Sequence, residues 1–479
     1  MKNTWLVILL ILILQIVLRL PFLAEPFSYD ETVYAQIAIR LGQGEVLYRE
    51  IVDVKPPLIF FYYQALAGDP ARVRLVTALL GLTATLLLFI IGRRLVDTRV
   101  GLAAAFFYAL FSGGFFIEGA QANPENLMIV PLLLSFLAFL AGGWWLFIAG
   151  VFSGLAILIK QTALFNLLAL LLLCVWRRDF KGAGRLVLGI LVFPAVLLGF
   201  YFYQGRLNDL ISAVIVLGAG MAQASLVIPL LQTLALALKE NSVLWLLAFL
   251  GLLFAFGRRR EIPMSNLLVW AFFSLAGTYS VGYALGHYFI PAIPALCLFA
   301  GLAVGKWPEL SLTKKARAWL IALLTALGLL IVVCQAELYL VCPPDQLPLA
   351  RYGDGAIAAA VTIGRGIGQA SNPADQVFGH SPTVFYSGRK SLRKYFITPL
   401  GGHSEVSVFG RKLFARDFSL KRDPAAMRAI DADIYNALRD KRTKYYIVYL
   451  RGDYFPGDIK IILNREGYRF DPVLSDRAN

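Results

Sequence analysis

Two acidic residues, Asp30 and Glu31, stand side by side in "SYDETVYAQIAIRLGQGEVLYREIVDVKPPLIFFY" (28–62), the segment that follows the first apolar stretch. The same segment contains Asp53 and Lys55. A carboxylate such as Asp30 can take a proton from a hydroxyl group, and a cation such as Lys55 can hold the charge that develops on a phosphate leaving group. Together these residue types suit group transfer from a phosphate to a hydroxyl acceptor.

Further polar residues occur at the ends of later apolar stretches, on what would be the same membrane face. Arg74 begins the second stretch, Glu125 precedes the fourth in "ANPENLMI", and Lys160 lies where the fifth turns into the sixth. His287 and Tyr288 lie between the ninth and the tenth. Arg74 and His287 could add charge-assisted contacts to a phosphate. The pattern indicates an active site at the boundary between lipid and water.

Each of these residues also has a purely structural interpretation. Asp30 and Glu31 could cap the start of an interfacial helix, where negative charge is favourable. Lys55 and Lys160 could extend to the membrane surface, and His287 could simply pack against its neighbour. The sequence contains no CxxC, P-loop or GxGxxG pattern, so it gives no support to metal-cluster, nucleotide or redox chemistry.

The elements that must position these residues are membrane helices. Of 479 residues, 58% are hydrophobic and only 16% are charged, and the mean hydropathy is +0.68. A soluble domain carries about 25% charged residues. Apolar stretches of near-spanning length occupy residues 5–20, 75–91, 100–117, 127–141, 144–159, 163–176, 186–203, 243–256, 264–284, 289–304 and 319–336. The expected fold is an all-α polytopic membrane protein with about eleven transmembrane helices.

The basic residues set the expected orientation of these helices. They cluster in alternate loops: Arg93, Arg94 and Arg99; Arg177, Arg178, Lys181 and Arg185; Arg258, Arg259 and Arg260; Lys306, Lys314, Lys315 and Arg317. Cytoplasmic loops carry the excess of Lys and Arg. All four clusters fall inside when the N-terminus is cytoplasmic. The formal net charge of +15 is therefore first a topology signal, and the acidic segment lies outside.

After residue 341 the composition becomes that of a soluble domain. "CPPDQLP" reads as a linker, "KYYIVYL" (444–450) as a buried strand, and "DPAAMRAIDADIYNALRDKR" (423–442) as an amphipathic helix. We expect a transmembrane domain over residues 1–340, with a first outer loop at 21–70. A small extracytoplasmic α/β domain follows over residues 341–479.

Several segments, in order along the chain, resemble the GT-C class of membrane glycosyltransferases. They are similar to bacterial family 39 enzymes, which are like dolichyl-phosphate-mannose protein mannosyltransferases, and to the family 83 lipid A aminoarabinose transferases. The segments are "RLPFLAEPFSYDETVYAQIA" (19–38), "DVKPPLIFF" (53–61), "RVRLVTALLGLTATLLLFIIGRRL" (72–95), "ANPENLMI" (122–129), "GLAILIKQTAL" (154–164), "GHYFIPAIPAL" (286–296) and "DQVFGHSPTVFYSGR" (375–389).

The resemblance implies roles for individual residues. Asp30 would be the catalytic carboxylate, and Glu31 would help to position the acceptor or the loop. Lys55 would contact the donor phosphate. Glu125 would be the acidic residue of the second outer loop. The chain departs from the pattern at Lys160, which is followed by glutamine where those enzymes often have glycine.

The donor site implied by these roles contains four residues: Lys55, Arg74, His287 and Tyr288. Asp53 joins Glu125 as a second acidic candidate on the acceptor side. Since some GT-C enzymes use a metal, a divalent ion between Asp30 and Glu125 is left open, and no other cofactor is implied.

The resemblance implies a glycosyltransferase that takes a sugar from a polyprenyl-phosphate donor. The acceptor would be a lipid, a protein or a polysaccharide at the outer face of the plasma or inner membrane, in contact with membrane lipids and without nucleic acid. Two alternatives remain. A transporter or flippase would place ionisable residues at mid-membrane and often show inverted repeats, which this sequence lacks. The other alternative is a catalytically inactive sugar-binding scaffold.

Overall fold

The computed structural model describes residues 3–220, 241–280, 285–306, 341–352, 356–391, 403–408, 411–417 and 445–447, with scattered positions between 231 and 329. Its contacts divide the chain into two units. The first comprises Met1–Leu23, Arg74–Phe200 and Gln223–Cys342, and the second comprises Ala24–Val73, Tyr201–Ala222 and Pro343–Asn479. The domain boundary near residue 340 remains a prediction from sequence.

Helices dominate the described residues. In chain order they are α1 (Thr4–Arg19), α2 (Tyr29–Gly42), α3 (Leu58–Ala65), α4 (Pro70–Leu95), α5 (Thr98–Phe111), α6 (Pro124–Ala141), α7 (Trp145–Ile157), α8 (Leu164–Trp176), α9 (Phe180–Tyr203), α10 (Leu207–Ile211), α11 (Ser242–Gly257), α12 (Ile262–Tyr279), α13 (Ile293–Gly305), α14 (Leu347–Tyr352), α15 (Ala356–Ala370) and α16 (Ser381–Ser387). Short 3-10 turns cover Leu20–Ala24, Gln161–Ala163, Gly286–Ala292 and Pro344–Gln346, a π-helical turn covers Ser212–Leu217, and one further turn covers Gly218–Gly220.

Five helical segments among the described residues are long and apolar enough to cross a membrane. They are Thr4–Ala24, Pro70–Leu95, Pro124–Ala141, Phe180–Tyr203 and Gly286–Gly305. Shorter apolar helices at Thr98–Phe111, Trp145–Ile157, Gln161–Trp176, Leu207–Leu217 and Ser242–Gly257 accompany them. The chain is therefore an integral membrane protein with a mainly helical fold. The count of about eleven spans and the orientation remain predictions.

Glycines allow the central helices of the first unit to pack closely. A Cβ atom on Gly251 of α11 would lie 1.8 Å from the carbonyl oxygen of Phe299 on α13, and one on Gly92 of α4 would lie 2.8 Å from the Cα atom of Gly101 on α5. In lipid the hydrophobic effect does not drive helices together, because the lipid tails are as apolar as the side chains. Helices associate instead through close packing, which small residues allow. The first contact holds α13 against α11, and the second holds α4 against α5.

A buried polar network joins four helices of the first unit. The Asn166 side chain on α8 donates to Ser135 of α6 and Ser153 of α7, each at 3.3 Å. It accepts a 2.6 Å hydrogen bond from the Trp270 indole of α12, and this ring stacks on Phe136 at 4.4 Å. Hydrogen bonds between membrane helices fix their relative positions. They hold α8, which follows Lys160 closely in the chain.

The second unit contains α2, α3, α14 to α16 and all the described strands. Strands β1 (Gln376–Gly379), β2 (Lys390–Ser391) and β5 (Tyr445–Ile447) form a parallel sheet in the order β2-β1-β5. Val377 pairs with Ser391 on one side and with Tyr445 on the other. Strands β3 (His403–Val408) and β4 (Arg411–Asp417) form an antiparallel pair. Helix α16 connects β1 to β2, as expected for parallel neighbours.

The described C-terminal elements agree with the sequence only in part. The strand predicted at 444–450 is present as β5, and "DQVFGHSPTVFYSGRK" forms strand β1 followed by helix α16. The helix predicted at 423–442 lies outside the described residues. A complete α/β domain over 341–479 therefore remains a prediction.

Candidate active site

The start of helix α6 holds Glu125, the acidic residue of "ANPENLMI". Asn123 is extended at the N-cap position, with φ −72° and ψ 155°, and Pro124 occupies the first helical turn. Proline suits that position because the missing N–H has no helical partner there. Glu125 follows in the first turn, where the helix dipole favours negative charge, and it is only 1% exposed.

Lys160 reaches Glu125 from the connection between α7 and α8. Its backbone is extended, with φ −153° and ψ 135°, just before the 3-10 turn. The ammonium group forms an ion pair with Glu125 Oε1, and it lies 4.0 Å from the centroid of the Tyr288 ring, within cation–π range. The side chains of Lys160 and Glu125 are only 12% and 2% exposed. Lys160 does not extend to the membrane surface; it is held in a buried pair.

The 3-10 turn before α13 brings His287 and Tyr288 to the same place. A Cβ atom on Gly286 would lie 2.0 Å from the carbonyl oxygen of Phe116, so only glycine allows this approach. His287 Nδ1 lies 2.7 Å from Glu118 Oε2, and Nε2 lies 4.0 Å from Glu125 Oε1. The Tyr288 carbonyl accepts a 2.9 Å hydrogen bond from Thr278 on α12.

Glu118 belongs to this cluster, although the sequence reasoning did not select it as a site residue. Its Oε2 accepts a 3.1 Å hydrogen bond from Asn123 as well as the contact with His287. Its backbone is left-handed, with φ +56°, which is uncommon outside glycine. Its place in "EGAQANPEN", seven residues before Glu125, was the available signal.

A small cavity of about 20 Å³ lies beside the pair. Glu125, Lys160, Asn166, Thr278 and Tyr288 contribute to its lining. That volume is enough for about one water molecule or a single hydroxyl group. Glu125 Oε2 is buried and has no hydrogen-bond partner within the described part of the chain. The cavity therefore offers an acceptor and a cation to a small polar group.

Arg74 is buried in the first unit near the start of α4. It is 2% exposed, and its Nη1 donates a 3.2 Å hydrogen bond to the carbonyl oxygen of Ala120. Ala120 lies in the loop between Glu118 and Glu125. Arg74 thus helps to hold the backbone of the loop that carries both acidic residues.

The acidic pair of the first outer loop begins helix α2 in the second unit. The Ser28 hydroxyl accepts from the Glu31 backbone N–H at 3.5 Å, and Glu31 Oε2 accepts from the Ser28 N–H at 2.9 Å. This reciprocal arrangement is a capping box. Glu31 is fully buried in it, so its carboxylate has a structural task. Asp30 is half-buried and makes no hydrogen bond or ion pair with any residue that the structure describes.

Lys55 and Asp53 form a second local cluster in that unit. Asp53 is 1% exposed, and its Oδ1 accepts from the Lys55 backbone N–H at 2.9 Å and lies 3.7 Å from Nζ. The ammonium group also lies 5.1 Å from the centroid of the Tyr34 ring on α2. The Tyr48 hydroxyl donates to the Lys55 carbonyl at 2.8 Å. Burial, with Tyr201 and Asp53 nearby, raises the pKa of Tyr48 well above its ordinary value, so the hydroxyl stays protonated.

The structure thus brings the predicted residues together in two groups. Glu125, Lys160, His287 and Tyr288 meet in the first unit, and Asp53 and Lys55 meet in the second, where Asp30 and Glu31 begin α2. Within the described residues, no three His, Cys, Asp or Glu side chains are arranged to hold a metal ion. Metal use remains a prediction.

Two of the three comparisons with known proteins gave matches. The sequence profile of dolichyl-phosphate-mannose-protein mannosyltransferases matches residues 55–203. ArnT from Cupriavidus metallidurans bound to undecaprenyl phosphate is 18% identical, with a TM-score of 0.61 over 82% of this chain and 86% of that one. Its apo structure gives a TM-score of 0.52 at 16% identity, over 81% and 85%. A comparison with curated proteins gave no match.

The fold is therefore that of the ArnT structures, and the resemblance to GT-C glycosyltransferases seen in the sequence is confirmed. The archaeal oligosaccharyltransferase of Archaeoglobus fulgidus is a more distant match. It has a TM-score of 0.49 at 14% identity, and the match spans 81% of this chain and 64% of that one.

Proposed function

We propose that the protein is a glycosyltransferase that moves a sugar from a polyprenyl-phosphate donor to an acceptor at the outer face of the membrane. The observation that carries this proposal is the ArnT-like fold over more than four fifths of both chains, in a structure whose ligand is undecaprenyl phosphate. The mannosyltransferase profile, which begins at Lys55, supports the same class of donor.

In the proposed reaction an acceptor hydroxyl attacks the anomeric carbon of the donor sugar. The bond between that carbon and the phosphate oxygen breaks, and the polyprenyl phosphate leaves with the electron pair. Asp30 takes the proton of the acceptor hydroxyl. Its carboxylate makes no hydrogen bond or ion pair among the described residues, so it can accept this proton without first giving up a partner.

Among the cationic residues, Lys55 would serve the donor. Lys55 is 25% exposed despite its contact with Asp53, so its ammonium group can still approach a lipid phosphate. Lys160 and His287 are tied to carboxylates instead. We assign them to a polar cluster within the first unit, where the buried Glu125 can accept a hydrogen bond from a small hydroxyl group in the adjoining cavity. Glu31 keeps the start of α2 in place.

A transfer assay tests this function against its main alternative. The purified protein is given undecaprenyl phosphate carrying tritiated mannose or tritiated arabinose, together with membrane lipid, protein and polysaccharide fractions as acceptors. We expect label in one acceptor class and an equal amount of free undecaprenyl phosphate. Comparing the glycans of cells with and without the gene identifies the sugar. Movement of the intact donor across a vesicle membrane, without transfer, would instead indicate a flippase.

A further inference from the structure

Helix α2, which carries Asp30, is contacted at its start by helix α16 of the C-terminal region. The backbone N–H of Phe27 donates a 2.7 Å hydrogen bond to the Tyr386 hydroxyl. Phe27 is fully buried, and its ring lies 5.6 Å from the ring of Phe385. A buried N–H needs a partner, and here the partner comes from a residue 359 positions further along the chain.

Two more contacts link α2 to the start of α16, one on each side of Asp30 in the chain. Gln36, which is 4% exposed, donates a 2.9 Å hydrogen bond to the carbonyl oxygen of Ser381 at the start of α16. The ring of Tyr29 lies 5.9 Å from the ring of His380, which immediately precedes α16. Contacts from one short helix therefore bracket Asp30 along the chain.

An ion pair anchors the chain just before α2. Glu25 accepts from the guanidinium of Arg351 on α14, and their side chains are only 1% and 3% exposed. A buried pair with this geometry fixes the relative position of its two segments, because separating the partners leaves a charge without compensation. The C-terminal region thus holds both the approach to α2 and its first turns.

The contacts with α14 and α16 orient helix α2, which the local structure of the helix cannot do. The capping box of Ser28 and Glu31 fixes the first turn of α2 internally, but it does not fix where that turn points. Asp30 itself makes no anchoring contact among the described residues. The direction of its carboxylate is therefore set by the contacts that α14 and α16 make with this segment. A displacement of about 1 Å at a catalytic group can lower the rate by about 10²-fold.

We infer that α16 is the element that positions the Asp30 carboxylate. Tyr386 is the positioning residue, and it acts through its hydroxyl group. The inference rests on the proposed function, since it assigns Asp30 its catalytic role. It gives the C-terminal region a direct part in the reaction rather than only a part in stability.

Hydrogen exchange tests the contact without any need for substrate. In the full-length protein, Tyr386→Phe keeps the ring but removes the acceptor of the Phe27 N–H. We expect exchange in peptides covering residues 27–36 to rise about tenfold, as the loss of one hydrogen bond predicts. Tyr62→Phe is the matched control, because it removes one tyrosine hydrogen bond, to the Val73 carbonyl, in the same unit. It should leave these peptides unchanged.

A double-mutant cycle then tests the link to catalysis. The assay uses the undecaprenyl-phosphate mannose or arabinose donor that the wild-type protein accepts. We expect Tyr386→Phe to lower kcat by about 10-fold to 10²-fold with little change in the KM for the donor. In the Asp30→Asn background the same change should have almost no effect on kcat, because the group it positions is gone. Gln36→Met, which removes the hydrogen bond to Ser381, should behave in the same way.

The outcomes separate this inference from the function on which it rests. A wild-type protein that transfers sugar from no polyprenyl donor removes the proposed function itself. A wild-type protein that is active, with fully additive effects of Tyr386→Phe and Asp30→Asn, keeps the function and overturns the positioning role. Unchanged exchange at residues 27–36 in Tyr386→Phe would also overturn it.

Discussion

At the scale of single residues, the buried pair of Glu125 and Lys160 is costly to maintain. Removing two charges from water is unfavourable by several kcal/mol per ion, and the mutual attraction offsets this only when the geometry is good. Here Tyr288 adds a cation–π contact and His287 lies within 4.0 Å of Glu125. A pair retained at such a cost suggests a task beyond folding.

The pair gives a first prediction. Lys160→Met should leave the Glu125 carboxylate buried without its cation and lower the free energy of unfolding by about 3–5 kcal/mol. The double variant Glu125→Gln/Lys160→Met should regain most of that loss. Thermal melting in lipid nanodiscs measures both. If the pair also binds the substrate, the double variant should melt normally but transfer sugar poorly. A normal melting temperature for Lys160→Met alone would contradict the predicted cost of leaving Glu125 without its cation.

Lys55 gives a second prediction at this scale. Lys55→Ala removes a charge-assisted contact to a phosphate, a type of hydrogen bond worth about 1.5–3 kcal/mol. We therefore expect the affinity for undecaprenyl phosphate to fall about 10-fold to 10²-fold, as measured by binding to the purified protein. Arg49→Ala is the control, since Arg49 is an exposed cation paired with Asp209 in the same unit. Equal affinities in both variants would remove Lys55 from the donor site.

Sequence reasoning found the residue types but not their partners. The sequence alone identified Asp30, Lys55 and Glu125 as candidates, because ionisable groups are conspicuous beside apolar stretches. The pairing of Lys160 with Glu125 was not, because 35 residues separate them and only the packing of α6 against α7 and α8 brings them together. Glu31 shows the reverse case: the capping interpretation proposed from sequence describes its contacts in the structure.

At the scale of elements, a charged cluster links the loop after α2 to the C-terminal region. Glu45 accepts from Arg40 on α2 and lies 2.6 Å from Lys390 Nζ on β2. Burial raises the pKa of Glu45, but the hydrogen bonds and charges of Arg40 and Lys390 outweigh burial and hold that pKa below its ordinary value of 4.5. The carboxylate therefore links α2 to the sheet when it is ionised.

The pH dependence follows from the sign of this shift. A carboxyl group with a lowered pKa in the folded state stabilises the fold above its ordinary pKa, and this contribution is lost as the pH falls through the folded value. We expect the melting temperature to fall below about pH 4.5, and Glu45→Gln to make the curve flatter in that range. Glu50→Gln, an exposed change in the same loop, is the control. An identical acid response in Glu45→Gln and wild type would contradict the role of this link.

The contact between α2 and α16 could not be predicted from sequence. Its hydrogen bonds join residues separated by 345 and 359 positions. The motif around residues 375–389 suggested an outer domain, but local patterns do not specify which loop such a domain covers. The apolar helices were predictable because the length needed to cross a bilayer is a strong and local constraint.

At the scale of the whole molecule, the distribution of positive charge predicts the orientation. All four Lys and Arg clusters fall on one side when the helices are counted from a cytoplasmic N-terminus. Asp30 and Lys55 would then lie outside. A reporter enzyme that is active only outside the cytoplasm should work when fused after Asn479 and fail when fused after Arg94. The opposite pattern would place the proposed reaction on the wrong side of the membrane.

The role of Asp30 as the general base is tested by measuring single-turnover transfer by Asp30→Asn. Thermal melting is measured on the same purified sample. The substitution keeps the size of the side chain and removes the base. We predict a normal melting temperature, unchanged binding of undecaprenyl phosphate, and a loss of transfer of about 10²–10⁴-fold, the usual contribution of a general base. If Asp30 only stabilises the first turn of α2 through the helix dipole, the variant should instead lose about 0.3–1 kcal/mol of stability and keep most of its activity. That result would contradict the proposed mechanism.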